Sequence, residues 1–141
     1  MAETNRWRKN TETQAFLVAL DISGFSRHMD EPDQLLEHRE RFFRAIEQTG
    51  LFAQAKQAST VVSHFLGDEL RLAFRGSVGA QRVQDFVDEV LDILANNNRD
   101  VVPERQTRVK GVVFTGVVTW RDWLKCPYLD GPLPFKAQRW M

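Results

Sequence analysis

Cysteine is all but absent from this chain: Cys126 stands alone among 141 residues. One thiol excludes an internal disulfide and any zinc site built from several cysteines. Net charge is missing as well, because 19 lysines and arginines are matched by 19 aspartates and glutamates. That balance offers no basic field for a nucleic-acid backbone, and no nucleic-acid partner is expected. No apolar run approaches the roughly 20 residues of a membrane span, so no membrane partner is expected either. The opening MAETNRWRKNTETQ is polar and lacks the apolar stretch of a secretory signal, which makes the cytoplasm the expected location. Repeats and low-complexity tracts are also missing. The length suits one domain with a real core.

What is present alternates between strand and helix signals. Residues 1–14 read as a flexible lead, with Trp7 inside it, and residues 15–141 as the domain. AFLVAL is a short apolar run of the kind buried on both faces of a sheet. EPDQLLEHRERFFRAIEQTG places Leu35, Leu36, Phe42, Phe43 and Ile46 on one helical face, with Pro32 near its start and Gly50 at its stop. STVVSHF and ELRLAFRG flank Gly67 and Asp68 and predict a hairpin. SVGAQRVQDFVDEVLDILANNN is a helix by the spacing of Val83, Phe86, Val87, Val90, Leu91 and Leu94, with Ser77 as its expected cap. TRVKGVVFTGVVTW follows as a strand, or as two strands bent at Gly116. The order β-α-β-β-α-β predicts an α+β fold: a split βαβ, ferredoxin-like, palm-type sheet with helices on one face.

In that topology the end of the first strand and the turn of the hairpin share one end of the sheet. Asp21 would then face Asp68 across neighbouring strands. Two close carboxylates resist ionising together unless a cation neutralises them. A few hard oxygen donors, with room left for substrate phosphates, suit Mg²⁺. The turn ISGFS offers backbone N–H groups for a polyphosphate just before a helix. A paired-metal site for phosphoryl transfer is the expectation. The plainer alternative is that Asp68 belongs to an ordinary Gly-Asp turn and Asp21 caps the turn after it. Glu69 is expected to face solvent, with a water-mediated contact to the site as the alternative.

These stretches resemble the class III nucleotide cyclase domain. Asp21-Ile22-Ser23-Gly24-Phe25-Ser26 matches its strand-end motif and Gly67-Asp68 its hairpin. Gly111-Val112-Val113-Phe114-Thr115-Gly116 resembles its G-I-x-T-G strand with one extra residue. Ala137 and Arg139 fit half of its N-x-A-x-R signature, where Phe135 replaces the asparagine. The resemblance implies that Asp21, Asp68 and the Ile22 carbonyl hold two Mg²⁺ or Mn²⁺ ions. It implies that Ser23, Gly24, Phe25 and Ser26 bind the substrate, a nucleoside triphosphate, and that Arg139 stabilises the transferring charge. It also implies a homodimer with shared active sites. The family's two base-reading positions fall at His64 and Tyr128, neither of which makes a purine-reading lysine–aspartate pair. That pattern resembles the bacterial antiphage cyclases that make cyclic pyrimidine nucleotides.

The sequence stops soon after Arg139, without the C-terminal hairpin and phosphate-binding lysine of the complete domain. A catalytically inactive or truncated nucleotide-binding and dimerisation module is therefore the alternative reading. FLGDEL also resembles the signature of diguanylate cyclases, although Leu66 and Leu70 stand where glycine and phenylalanine belong. Trp120, Trp123 and Trp140 read as packing or interface residues, and His28 and His38 lack metal-ligand company. The arginines of EHRERFFRAIE read as a solvated helix face with i,i+4 pairing.

Overall fold

The computed structural model of the chain describes residues 6–22, 32–66, 69–123 and 126–130. Among these residues are five strands and three helices, in the order β1 (Glu12–Ile22), α1 (Pro32–Glu47), α2 (Gly50–Ala58), β2 (Val61–Leu66), β3 (Glu69–Arg75), α3 (Ala80–Asn97), β4 (Val109–Trp123) and β5 (Cys126–Asp130). They form one sheet in the order β2-β3-β1-β4-β5. Every pairing is antiparallel, so β1 and β2 run the same way with β3 between them. This is the split βαβ arrangement the sequence predicts.

Side-chain alternation gives the sheet two different faces. Val18, Leu20 and Ile22 of β1, with Leu70, Leu72 and Phe74 of β3, point to the helices and form the main core. Phe42, Ile46, Val83, Phe86 and Val90 close that core from above, with Phe86 edge-on to Phe74 at 5.3 Å between ring centroids. Each such side chain contributes about 1.5–3 kcal/mol by leaving water. Packing is tight at Gly111, where a Cβ would sit 2.7 Å from Leu20 Cδ2 and push that side-chain tip aside.

Among the described residues the opposite face carries no helix. One end of it is sealed by the segment before β1. Trp7 lies against Ala15, Leu17, Val62, Ala73 and Val118. Its indole Nε1 donates to the carbonyls of Ala73 (2.9 Å) and Thr60 (3.0 Å). Lys9 bridges to Trp120, and its ammonium lies 5.2 Å from that ring's centroid. Residues 6–14, read from the sequence as lead, are thus a strap with a buried tryptophan running into a strand that begins at Glu12.

Three further elements differ from expectation. Gly50 opens α2 rather than stopping α1, and the junction between them is Thr49, in extended conformation, whose hydroxyl donates to the Ile46 carbonyl at 2.7 Å. Ser77 lies in a 3₁₀ turn, while Gly79 occupies the N-cap of α3 with φ of 94°, a conformation open to glycine. β4 runs unbroken through Gly116, which pairs with Ala15, and then returns as β5. The backbone of β5 comes within 8 Å of β2 at the other edge, so the sheet curls over its free face.

Candidate metal and nucleotide site

At the other end of the free face the residues are charged. Asp21, half-buried near the end of central β1, pairs across the ladder with Glu69 on one side and Lys110 on the other. Directly opposed residues of an antiparallel pair point to the same side, so Lys110, Asp21 and Glu69 form one row. The next row on this face holds Val112, Ala19, Arg71 and His64.

Glu69 does not face solvent as expected. It is 6% exposed, and Arg71 is 4% exposed. The cause is its position: Glu69 is the first residue of a strand flanked on both sides, not the tip of a turn. Glu69 Oε2 accepts from Arg71 Nε at 3.0 Å and lies 2.9 Å from Nη2. Glu69 Oε1 is also buried, and no described residue donates to it.

His64 is half-buried on β2 opposite Arg71. Burial first, and the Arg71 charge second, lower its pKa from the ordinary 6.5, while Glu69 pulls the other way. The imidazole is therefore neutral at neutral pH. Lys110 is exposed. Sequence reasoning missed it, because its relation to Asp21 exists only through the β1–β4 register.

The Ile22 side chain packs into the core as the ladder partner of Val109. Leu66 and Glu69 pair with each other, and only Gly67 and Asp68 separate them in the chain. Asp68 itself, the turn Ser23, Gly24, Phe25 and Ser26, and Arg139 lie outside the described residues, as do His28 and Trp140. Tyr128 pairs with Arg121 on β5, at the sealed end and away from Asp21. His38 is buried, with Nδ1 2.8 Å from Thr107 Oγ1. Of the three α1 arginines, Arg41 pairs with Glu37 and Arg44 with Glu40 at i,i+4 as expected. Arg39 is instead half-buried, its guanidinium 6.0 Å from the Phe65 ring centroid, because it faces the sheet rather than solvent. Among the described residues no three histidines, cysteines or acids converge as a metal cluster. No described helix is long and apolar enough to cross a membrane.

Solved structures share this arrangement. A bacterial light-regulated adenylyl cyclase superposes with a TM-score of 0.73 at 14% identity, over 92% of this chain and 40% of that one. The guanylyl cyclase Cya2 gives 0.67 at 16% identity, over 94% and 71% of the two chains. The guanylate cyclase domain of RhGC from Catenaria anguillulae, in complex with GTP, gives 0.65 at 15%, over 92% and 72%. The fold is that of the nucleotide cyclase catalytic domains. The chain spans less than half of the light-regulated enzyme and under three quarters of the other two. No protein-family profile and no curated protein matches the sequence.

Proposed function

We propose that the chain is a class III nucleotide cyclase, converting a nucleoside triphosphate to a 3′,5′-cyclic nucleotide and pyrophosphate. One observation carries this reading: Asp21 lies at the end of the central strand, on the face the helices leave free, between Lys110 and Glu69. The fold shared with adenylyl and guanylyl cyclases supports it.

Two Mg²⁺ or Mn²⁺ ions fit this end of the sheet. Asp21 is a hard oxygen donor with a second acid directly across the ladder, and a cation relieves their repulsion. Asp21, Asp68 and the Ile22 carbonyl are the residues that would hold them. When bound, the ions supply a Lewis acid for the ribose 3′-hydroxyl and neutralise triphosphate oxygens. Ser23, Gly24, Phe25 and Ser26 would bind the triphosphate, as the family motif they match implies. Lys110 adds the positive charge that a triphosphate beside two aspartates still requires. Arg139 stabilises charge as the α-phosphorus is attacked.

The site is shared between two chains of a homodimer. Lys110 and Arg121, the partners of Asp21 and Tyr128, lie eleven residues apart on β4. That is about 36 Å of strand at ~3.3 Å per residue. A nucleotide touched by both Asp21 and Tyr128 therefore takes them from different chains. A neutral His64 and an aromatic Tyr128 near the base favour stacking over a purine-specific hydrogen-bond pair, and stacking discriminates weakly. UTP or CTP is then at least as good a substrate as ATP, in keeping with cytoplasmic antiphage signalling by a cyclic pyrimidine nucleotide. Incubation with each of the four ribonucleotides and Mn²⁺, with cyclic products resolved, tests this. Exclusive turnover of ATP or GTP removes the pyrimidine assignment. No turnover of any nucleotide removes the cyclase.

A further inference from the structure

In the reading above Glu69 serves only as a neighbouring negative charge, and its buried pair with Arg71 has no role. The pair stands in the row of Asp21 and the row next to it, on the same face. We propose that Glu69 is a carboxylate ligand of the metal centre beside Asp21, offering Oε1 to a bound Mg²⁺ or Mn²⁺ while Arg71 fixes Oε2. This rests on the metal site proposed for Asp21.

Three observations carry it. Glu69 is more than nine-tenths buried, yet Oε1 has no donor among the described residues. A buried oxygen left unmet is destabilising, and a cation would satisfy it. Glu69 is the direct ladder partner of Asp21, so the two carboxylates leave neighbouring strands on the same side. Finally, Arg71 meets Oε2 with both Nε and Nη2, which holds the carboxylate in one rotamer. The guanidinium also offsets one of two adjacent negative charges, so the acids can sit together before an ion arrives. A pair serving stability alone would gain little over two apolar residues.

The test is Mn²⁺ binding to the full chain, read by electron paramagnetic resonance and by the Mn²⁺-dependent rise in Tm, with no nucleotide present. The wild type should bind and gain Tm, and Asp21→Asn should lose both. Glu69→Gln keeps the side chain's shape and an oxygen for Arg71, and should bind Mn²⁺ about tenfold or more weakly. The double variant Glu69→Gln/Arg71→Gln removes both charges together, and should show the same weakening if the single variant folds poorly. Wild-type Mn²⁺ affinity in either Glu69 variant, with binding lost in Asp21→Asn, sinks the role of Glu69 and leaves the Asp21 site standing. Absence of Mn²⁺ binding by the wild type overturns both.

Discussion

The two ends of the free sheet face are built from the same strands with opposite chemistry. At one end β1 and β3 present Ala15, Leu17 and Ala73, small or apolar residues that Trp7 covers. At the other end the same strands present Asp21, Glu69 and Arg71, flanked by Lys110 and His64. Alternation alone would make either end a second core. The first end follows that rule and holds the strap in place. The second breaks it with a buried charged pair and a half-buried acid, an arrangement that adds little stability by itself. Departures from a locally consistent pattern concentrate where a chain binds or reacts.

Substitutions at each end should separate the two roles. Trp7→Ala should have the largest effect on stability, about 3–5 kcal/mol, through lost packing and two carbonyls left without their indole donor. Chemical denaturation measures it. Mn²⁺ should still raise the Tm of this variant, and loss of that response would show that the two ends are one unit.

A smaller effect is expected at His64. Its pKa is lowered in the folded chain, so the unfolded chain takes up the proton first as pH falls. Stability should be full above about pH 6.5 and decline below it. His64→Gln should flatten that decline between neutral pH and pH 5. An identical profile in wild type and variant would remove His64 as its source.

Much of this architecture was legible in the sequence. Val83 through Leu94 repeat at helical spacing, and AFLVAL has the look of a doubly covered strand, so α3 and β1 stood out. Asp21 at a strand end beside a Gly-Asp hairpin pointed to one end of the sheet. The remainder depended on contacts distant in sequence. Trp7 is a lone aromatic in a polar stretch, and its carbonyl partners lie 53 and 66 residues away. α2 is only nine residues long and begins with glycine, too short for a clear period. β5 has five residues and contains Pro127. Glu69 followed a turn sequence and was read as exposed, whereas pairing on both sides of β3 buries it. Lys110 gains its meaning from the β1–β4 register alone.

The central claim is that the charged end is half of a catalytic site completed by a second chain. Mixing an Asp21→Ala chain with an Arg139→Ala chain tests it most directly. Each variant alone should form no cyclic nucleotide. After subunit exchange, half of the dimers are mixed and each has one intact site, so about a quarter of wild-type activity should return. No recovery, with exchange demonstrated and the wild type active, would contradict the shared site.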